Sequence, residues 1–346
     1  MARPKGYGGY RGRGSKWKIL LAVFLVLVIL AAAVVILLQR NIVYDATGTP
    51  QLVLPWAEEE TPQQEQETPP VDLVIQEPEM PEKSVQTYTA VLAKETPLTM
   101  EAWQGVREKL ASDERYDALA VTLKDGSGKV YFDAPGLVSG AVNVAGDTAA
   151  ALAEVTGGDF YSIARISCFR DPRAANGDVE GRGLKNTGGY IFYDGNNQQW
   201  LDPAKSAARE YLSRILAEAA ELGFDEILLT DVSYPTEGKL DKIAYGDVNR
   251  SEQLCAFLQE VRELLEPYEV ALGIEVSQTV VETGRDEAAG LALAEIAPLV
   301  DRIYAPAALG DVEKLSEQVA AAAEGTVFVP LLESDAALPE GNCLIG

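Results

Sequence analysis

The sequence predicts an α/β fold, a (β/α)8 barrel over residues 85–346, and three observations carry that expectation. From about Val85 onward, short apolar runs alternate with helix-length amphipathic ones, the pattern of a parallel sheet covered by helices. Eight such runs fit in about 260 residues, the strand number and length of a barrel of this kind. The rival, a doubly wound open sheet, is disfavoured because no glycine-rich dinucleotide fingerprint follows any run. "DGSGKV", beginning at Asp125, lacks the spacing and the Ser/Thr of a phosphate loop and reads as a turn into Val130-Tyr131-Phe132. With 47% apolar residues the chain has ample material for a core.

Ahead of the barrel the chain reads as three parts. Residues 1–18 form a basic tail carrying Arg3, Lys5, Arg11, Arg13, Lys16 and Lys18 and no acid. Residues 19–38 (ILLAVFLVLVILAAAVVILL) are uncharged and long enough to cross a hydrocarbon core of about 30 Å as a helix. A cleavable signal would have a shorter apolar region and a small-x-small site, so an uncleaved single-pass anchor is expected. Its basic flank places the N-terminus in the cytoplasm and the remainder outside the cell. Residues 39–84, rich in Pro, Glu, Gln and Thr from Asp45 on, read as a disordered stalk.

Strands are expected at Thr87–Leu92, Ala118–Leu123, Tyr161–Phe169, Glu226–Thr230, Glu269–Val276, Arg302–Ala305, Thr326–Leu331 and Cys343–Ile345. Helices are expected at Thr99–Leu110, with Thr99 as cap, and at Asp147–Glu154. A longer one, Ala204–Leu222, follows the acidic cap Asp202 and Pro203. Ser251–Leu265, Glu287–Leu299 and Asp311–Ala323 complete the set. Asn249-Arg250-Ser251 reads as a helix start rather than a glycosylation site. "NTGGYIFYDGNNQQWLDP", with turn signals at Gly188-Gly189 and Asp194–Asn197, reads as an exposed hairpin carrying Tyr190, Phe192, Tyr193 and Trp200.

Charge and missing residue types exclude several functions. The net charge is −24, yet the first 44 residues carry +7 and the rest −31, a surface that repels nucleic acid and suits neutral or cationic partners. The short Arg-Gly tail reads as a topology signal, so no nucleic-acid partner is expected. There is no histidine, which removes Ser-His-Asp and Cys-His catalysis and most catalytic zinc sites. Cys168, Cys255 and Cys343 are far apart, giving no readable disulfide framework or metal site, and no cofactor is expected. Acid–base chemistry would fall to carboxylates, lysine or tyrosine.

Barrels of this kind carry their active groups at the C-terminal strand ends. Those ends present Lys94 and Glu95; Thr122, Lys124 and Asp125; Arg165, Ser167, Arg170 and Asp171; Thr230, Asp231 and Tyr234; Glu275 and Ser277; Tyr304; and Glu333 and Asp335. Carboxylates, arginines and aromatics together suit sugar handling, since ring faces stack on pyranoses and two acids can flank a glycosidic bond. In "VALGIEVS" the residues Ala271, Gly273, Glu275 and Ser277 share one face, which makes Glu275 the leading functional acid. Arg165 needs an acidic partner inside the barrel or a ligand. On the fourth strand Thr230 and Asp231 alternate in direction, and Asp231 could serve a site or merely cap a loop. Asp225 and Glu226, at the strand start, read as solvated.

"DALAVTLKDGSGKVYF", "YSIARISCFRDP", "QQWLDPAKSAAREY" and "GFDEILLTDVSYP", in this order and spacing, resemble the glycosyl hydrolase domain of bacterial envelope proteins, an amylase-like TIM-barrel family. The resemblance spans most of residues 87–335 and implies a barrel that acts on polysaccharide or descends from enzymes that do. The resemblance keeps Lys124 and Asp125 and fits Arg165, Arg170, Asp171, Trp200 and Asp202, with Glu275 near the family's fifth-strand acid; together with the strand-end residues Thr230, Tyr234 and Tyr304 these are the expected substrate contacts. Three positions depart from the pattern. Thr122 stands where the second strand's Asp belongs, and Thr230 and Ser233 replace the fourth strand's acid and arginine. Asp231 substitutes for the missing acid only if the strand end bulges, because a one-residue slip reverses side-chain direction.

The leading expectation is a membrane-anchored extracellular domain that binds cell-envelope polysaccharide with degenerate catalytic carboxylates. One alternative is an active glycoside hydrolase using Asp231 and Glu275; the other is a structural or protein-interaction ectodomain.

Overall fold

The computed structural model describes residues 42–44, 50–52, 87–339 and 341–346. The chain divides into two compact units, Met1–Met80 and Pro81–Gly346. In the first, Ile42–Tyr44 and Pro50–Leu52 pair antiparallel, with Ile42 opposite Leu52. Both strands fall within the stretch 39–84 that the sequence leads one to expect as a disordered stalk. The tail at 1–18, the expected span at 19–38 and most of the stalk lie outside the described residues. Among the described residues no helix is long and apolar enough to cross a membrane.

The second unit is the expected barrel. Its strands are β1 (Thr89–Leu92), β2 (Ala118–Lys124), β3 (Tyr161–Ser167), β4 (Glu226–Thr230), β5 (Ala271–Glu275), β6 (Arg302–Pro306), β7 (Val327–Leu332) and β8 (Cys343–Ile345). Each pairs in parallel with its sequence neighbour, and β8 pairs with β1, so the sheet is closed. All eight fall on the apolar runs, because strands buried on both faces show no polar alternation. Outside lie α1 (Met100–Ser112), α2 (Thr148–Thr156), the short α3 (Pro172–Gly177), α4 (Ser206–Ala220), α5 (Arg250–Leu265), the short α6 (Gln278–Thr283) and α7 (Leu293–Ile296), and α8 (Val312–Ala322).

Caps fix several of these starts. Thr99 Oγ1 accepts from the Ala102 amide, and Asn249 accepts from the Ser251 amide, so the sequon begins α5 as expected. Asp202 does not cap α4. Its carboxylate closes a turn on the Ala204 amide, and Lys205 occupies the cap position. The helix expected over Glu287–Leu299 is mostly absent. Arg285–Asp286 and Leu291–Ala292 pair antiparallel instead, around Gly290 at φ 75°, and only α7 and a 3-10 turn at Ala297–Leu299 are helical. Asp286 accepts from the Ala288 and Ala289 amides, a turn that overrides the helical propensity of the alanines.

Inside the barrel, Ala90, Ala118 and Ala120 leave room for Ile163, Leu228 and Tyr304, all fully buried. At the floor sits Glu226, which corrects its reading as solvated: it is 0% exposed and points inward. Arg302 Nε stands 2.9 Å from its Oε2, and the hydroxyls of Tyr88 and Tyr161 donate to that oxygen at 3.0 and 3.1 Å. Tyr304 donates to the other oxygen and also meets the Tyr88 hydroxyl. Burial and the Glu226 charge push all three phenols above their ordinary range, keeping them protonated donors. A buried carboxylate survives only with such company.

Candidate functional site

At the C-terminal rim the loops after β3, β4 and β5 enclose an open cavity of about 340 Å³. Arg170, Trp200, Asp231 and Glu275 line it, together with Asp194, Asn196, Glu237, Ser277 and Asp286. The two acids expected to act therefore share one cleft.

Asp231 reaches it by an unusual backbone. β3 and β4 stay in register through Ser167 opposite Thr230, so the strand end does not bulge. Instead Asp231 is left-handed, at φ 54°, a conformation that Asp tolerates better than most residues. Its carboxylate accepts from Ser167 Oγ at 2.6 Å and lies 3.4 Å from Thr230 Oγ1, both on inward-facing residues. Arg170 Nε stands 3.3 Å from the other carboxylate oxygen. Thr230, 4% exposed, supports this arrangement from below without lining the cavity.

Glu275 ends β5. Arg165, projecting from β3 opposite Leu228, holds it through Nη2 at 2.9 Å and Nε at 3.2 Å, both to Oε2. Arg165 thus finds the acidic partner that its inward position demanded. Trp200 is 7% exposed, and its indole donates to Asp194 at 2.8 Å, standing the ring against the cavity wall. In the same insert Lys185 bridges Ile191, and the hairpin expectation holds in part: Tyr190 and Tyr193 are exposed, while Phe192 and Trp200 are buried.

Six other candidates are placed away from the cleft. The β2–β3 register shifts between Thr122 and Lys124, pairing Lys124 with the outward-facing Ile166. That irregularity turns the lysine out of the barrel interior. Lys124 Nζ instead donates to the Ser167 carbonyl at 2.8 Å and pairs with Asp171 at 3.1 Å, both side chains wholly buried. Asp171 also caps α3 through the Ala174 amide at 2.8 Å, so neither partner has surface to offer a ligand. Asp125 closes its own turn, accepting from Ser127, the Lys129 amide and the Tyr131 hydroxyl. Burial pushes its carboxyl up, but these hydrogen bonds outweigh burial and leave it below its ordinary value. Asp202, half-buried, is raised by burial and stays in its turn. Tyr234 is 1% exposed and packs edge-on against Tyr245 at 5.4 Å. Tyr304 belongs to the floor cluster. A strand-end position does not say which way a side chain points.

Asp194, Asn196, Glu237 and Asp286 line the cavity without having been singled out. Asp194 was visible only as a turn residue, and Asp286 lay in a stretch that reads as the approach to a helix. Among the described residues no group of histidines, cysteines and acids is arranged to hold a metal ion.

A barrel rim that gathers carboxylates, arginines and a tryptophan has the groups with which a protein can hold a sugar. The sequence profile described as "Putative glycosyl hydrolase domain" matches residues 98–307, and the chain belongs to that family. No curated protein matches. Among solved structures, the PgaB (BpsB) glycoside hydrolase domain from Bordetella bronchiseptica is similar, with TM-score 0.50 and 15% identity over 71% of this chain and 84% of that one. A hypothetical protein from Ruminiclostridium thermocellum is 25% identical over 54% of this chain and 96% of its own, with TM-score 0.46. A chitinase from Chromobacterium violaceum is 12% identical over 71% of this chain and 68% of its own, with TM-score 0.40.

Proposed function

We propose that the rim cavity binds a cell-envelope polysaccharide without cleaving it, and that residues 19–38 anchor the protein in the membrane with the barrel outside the cell. The observation that carries the binding reading is the state of the two cleft acids. Asp231 and Glu275 are each salt-bridged to an arginine, and Thr230 fills the inward strand-end position of β4. A carboxylate held this way accepts hydrogen bonds from sugar hydroxyls and donates none. Glycoside hydrolysis needs a second carboxyl that delivers a proton to the leaving oxygen. Trp200 offers one wall to a pyranose ring.

Full-length protein in detergent, incubated with purified cell-wall polysaccharides, should retain glycan and release no reducing ends. Asp231→Ala and Glu275→Ala should weaken retention. Reducing ends that appear with wild type and vanish in both variants would overturn the reading. The anchor is checked by fractionation: the full chain should sediment with membranes and a chain starting at residue 81 should not.

One observation favours an active hydrolase as the second reading. A non-glycine residue held left-handed at a cleft is the kind of backbone strain that functional sites retain, and here it turns Asp231 toward the cavity shared with Glu275.

A further inference from the structure

The turn "DGSGKV" after β2, which carries no phosphate-loop chemistry, holds two glycines that are glycine for different reasons. Gly128 sits at φ 77°, so its backbone alone calls for glycine. Gly126 has no positive φ, and its backbone would accept most side chains. What excludes one is Arg170. A Cβ at 126 would overlap Arg170 Nε and stand 2.5 Å from Nη2 and 2.6 Å from Cζ. The turn itself cannot retreat to make room. Asp125 accepts from the amide and hydroxyl of Ser127, the Lys129 amide and the Tyr131 hydroxyl, and its own amide donates to the Lys129 carbonyl at 3.0 Å. The guanidinium is the part free to move.

Arg170 also matters most to the cavity, because it is the one basic side chain among the described residues that line it. Its Nε stands 3.3 Å from Asp231 and is sealed from solvent, while the side chain as a whole is 42% exposed. Among the described residues its terminal nitrogens meet no acceptor. We propose that Gly126 is a positioning residue of the cleft: it is bare so that the Arg170 guanidinium can lie against the turn with Nε at Asp231. That placement leaves the terminal nitrogens as donors to ligand hydroxyl oxygens, beside carboxylates that accept from the same hydroxyls. A side chain at 126 drives the guanidinium off the turn and breaks its pairing with Asp231. The role of the terminal nitrogens rests on the reading of the cavity as a glycan site, whereas the placement of the guanidinium does not.

Full-length protein in detergent, carrying isotope-labelled arginine, gives a direct readout by NMR. The Nε–H signal that disappears in Arg170→Ala identifies this side chain, and its burial should protect it from exchange with water. Gly126→Ala should abolish that protection and leave the urea midpoint close to wild type. It should also lower retention of cell-wall polysaccharide about tenfold, as far as Arg170→Ala does. The double variant should retain no less glycan than Arg170→Ala alone, because the new methyl then has no guanidinium to displace. Gly128→Ala should instead lower the midpoint, since its backbone is left-handed and a Cβ there would overlap the Asp171 carboxylate. An unchanged Arg170 signal in Gly126→Ala, or losses of retention that add in the double variant, would overturn the proposal. Wild type that binds no polysaccharide would overturn the glycan reading and with it the role of the terminal nitrogens, while loss of the protected signal in Gly126→Ala would still establish the placement.

Discussion

Gly273 shows how narrowly one residue can be specified. A Cβ there would stand 2.7 Å from Glu226 Oε1 and 2.8 Å from the Tyr304 ring, so hydrogen is the only side chain that lets the floor cluster form. Gly273→Ala should destabilise the protein by about 1–3 kcal/mol, read as a lower urea midpoint, because overpacking a buried interior displaces groups that have nowhere to move. Asp125 carries a second expectation. Its carboxyl sits below its ordinary value in the folded state, so its contribution is present above the unfolded value near 4 and is lost as pH falls through the lower folded one. Asp125→Asn should lower thermal stability above pH 6 by an amount that does not vary with pH, and flatten the loss of stability below about pH 4.

Elements depend on pairs that join them. The buried Lys124–Asp171 bridge ties the end of β2 to the start of α3, and the same lysine holds the Ser167 carbonyl. It thereby fixes the corner from which Ser167 Oγ and Arg170 reach Asp231. Asp171→Ala should cost about 3–5 kcal/mol by leaving a buried ammonium unpaired, and Lys124→Met combined with Asp171→Leu should recover much of that in chemical denaturation. The elements themselves were largely legible in the sequence: eight apolar runs became eight strands because doubly buried strands are apolar on both faces. The helix expected over 287–299 was not, since its alanines favour helix locally while Asp286 and Gly290 impose a turn. Glu226 was missed because its partners Tyr88, Tyr161 and Arg302 come from distant parts of the chain, just before β1, in β3 and in β6. For the site, the sequence led to Asp231, Glu275, Arg165, Arg170 and Trp200. It could not foresee the irregularity that withdraws Lys124 or the left-handed turn that presents Asp231, because both depend on pairing between strands.

At the scale of the whole molecule, the unit from Pro81 to Gly346 holds its own core and its own closed sheet. A chain beginning at residue 81 should unfold in a single transition at the midpoint of the full-length barrel, followed by circular dichroism. A lower midpoint would mean that the preceding segment contributes to the fold. The closure of the sheet also governs how the protein can be made. β8 is three residues long, pairs Leu331 with Leu344 on one side and Thr89 with Cys343 on the other, and is the last of the eight strands in chain order. During synthesis the first strand must wait, beside an open seam, until the eighth has left the ribosome. At about 5–20 residues per second, the stretch from β1 to β8 takes roughly 13–50 seconds to appear. Throughout that interval the free edge of β1, and in turn the edge of each newest strand up to β7, is an exposed template for mispairing, so a nascent barrel of this kind is a natural client for chaperones that shield strand edges.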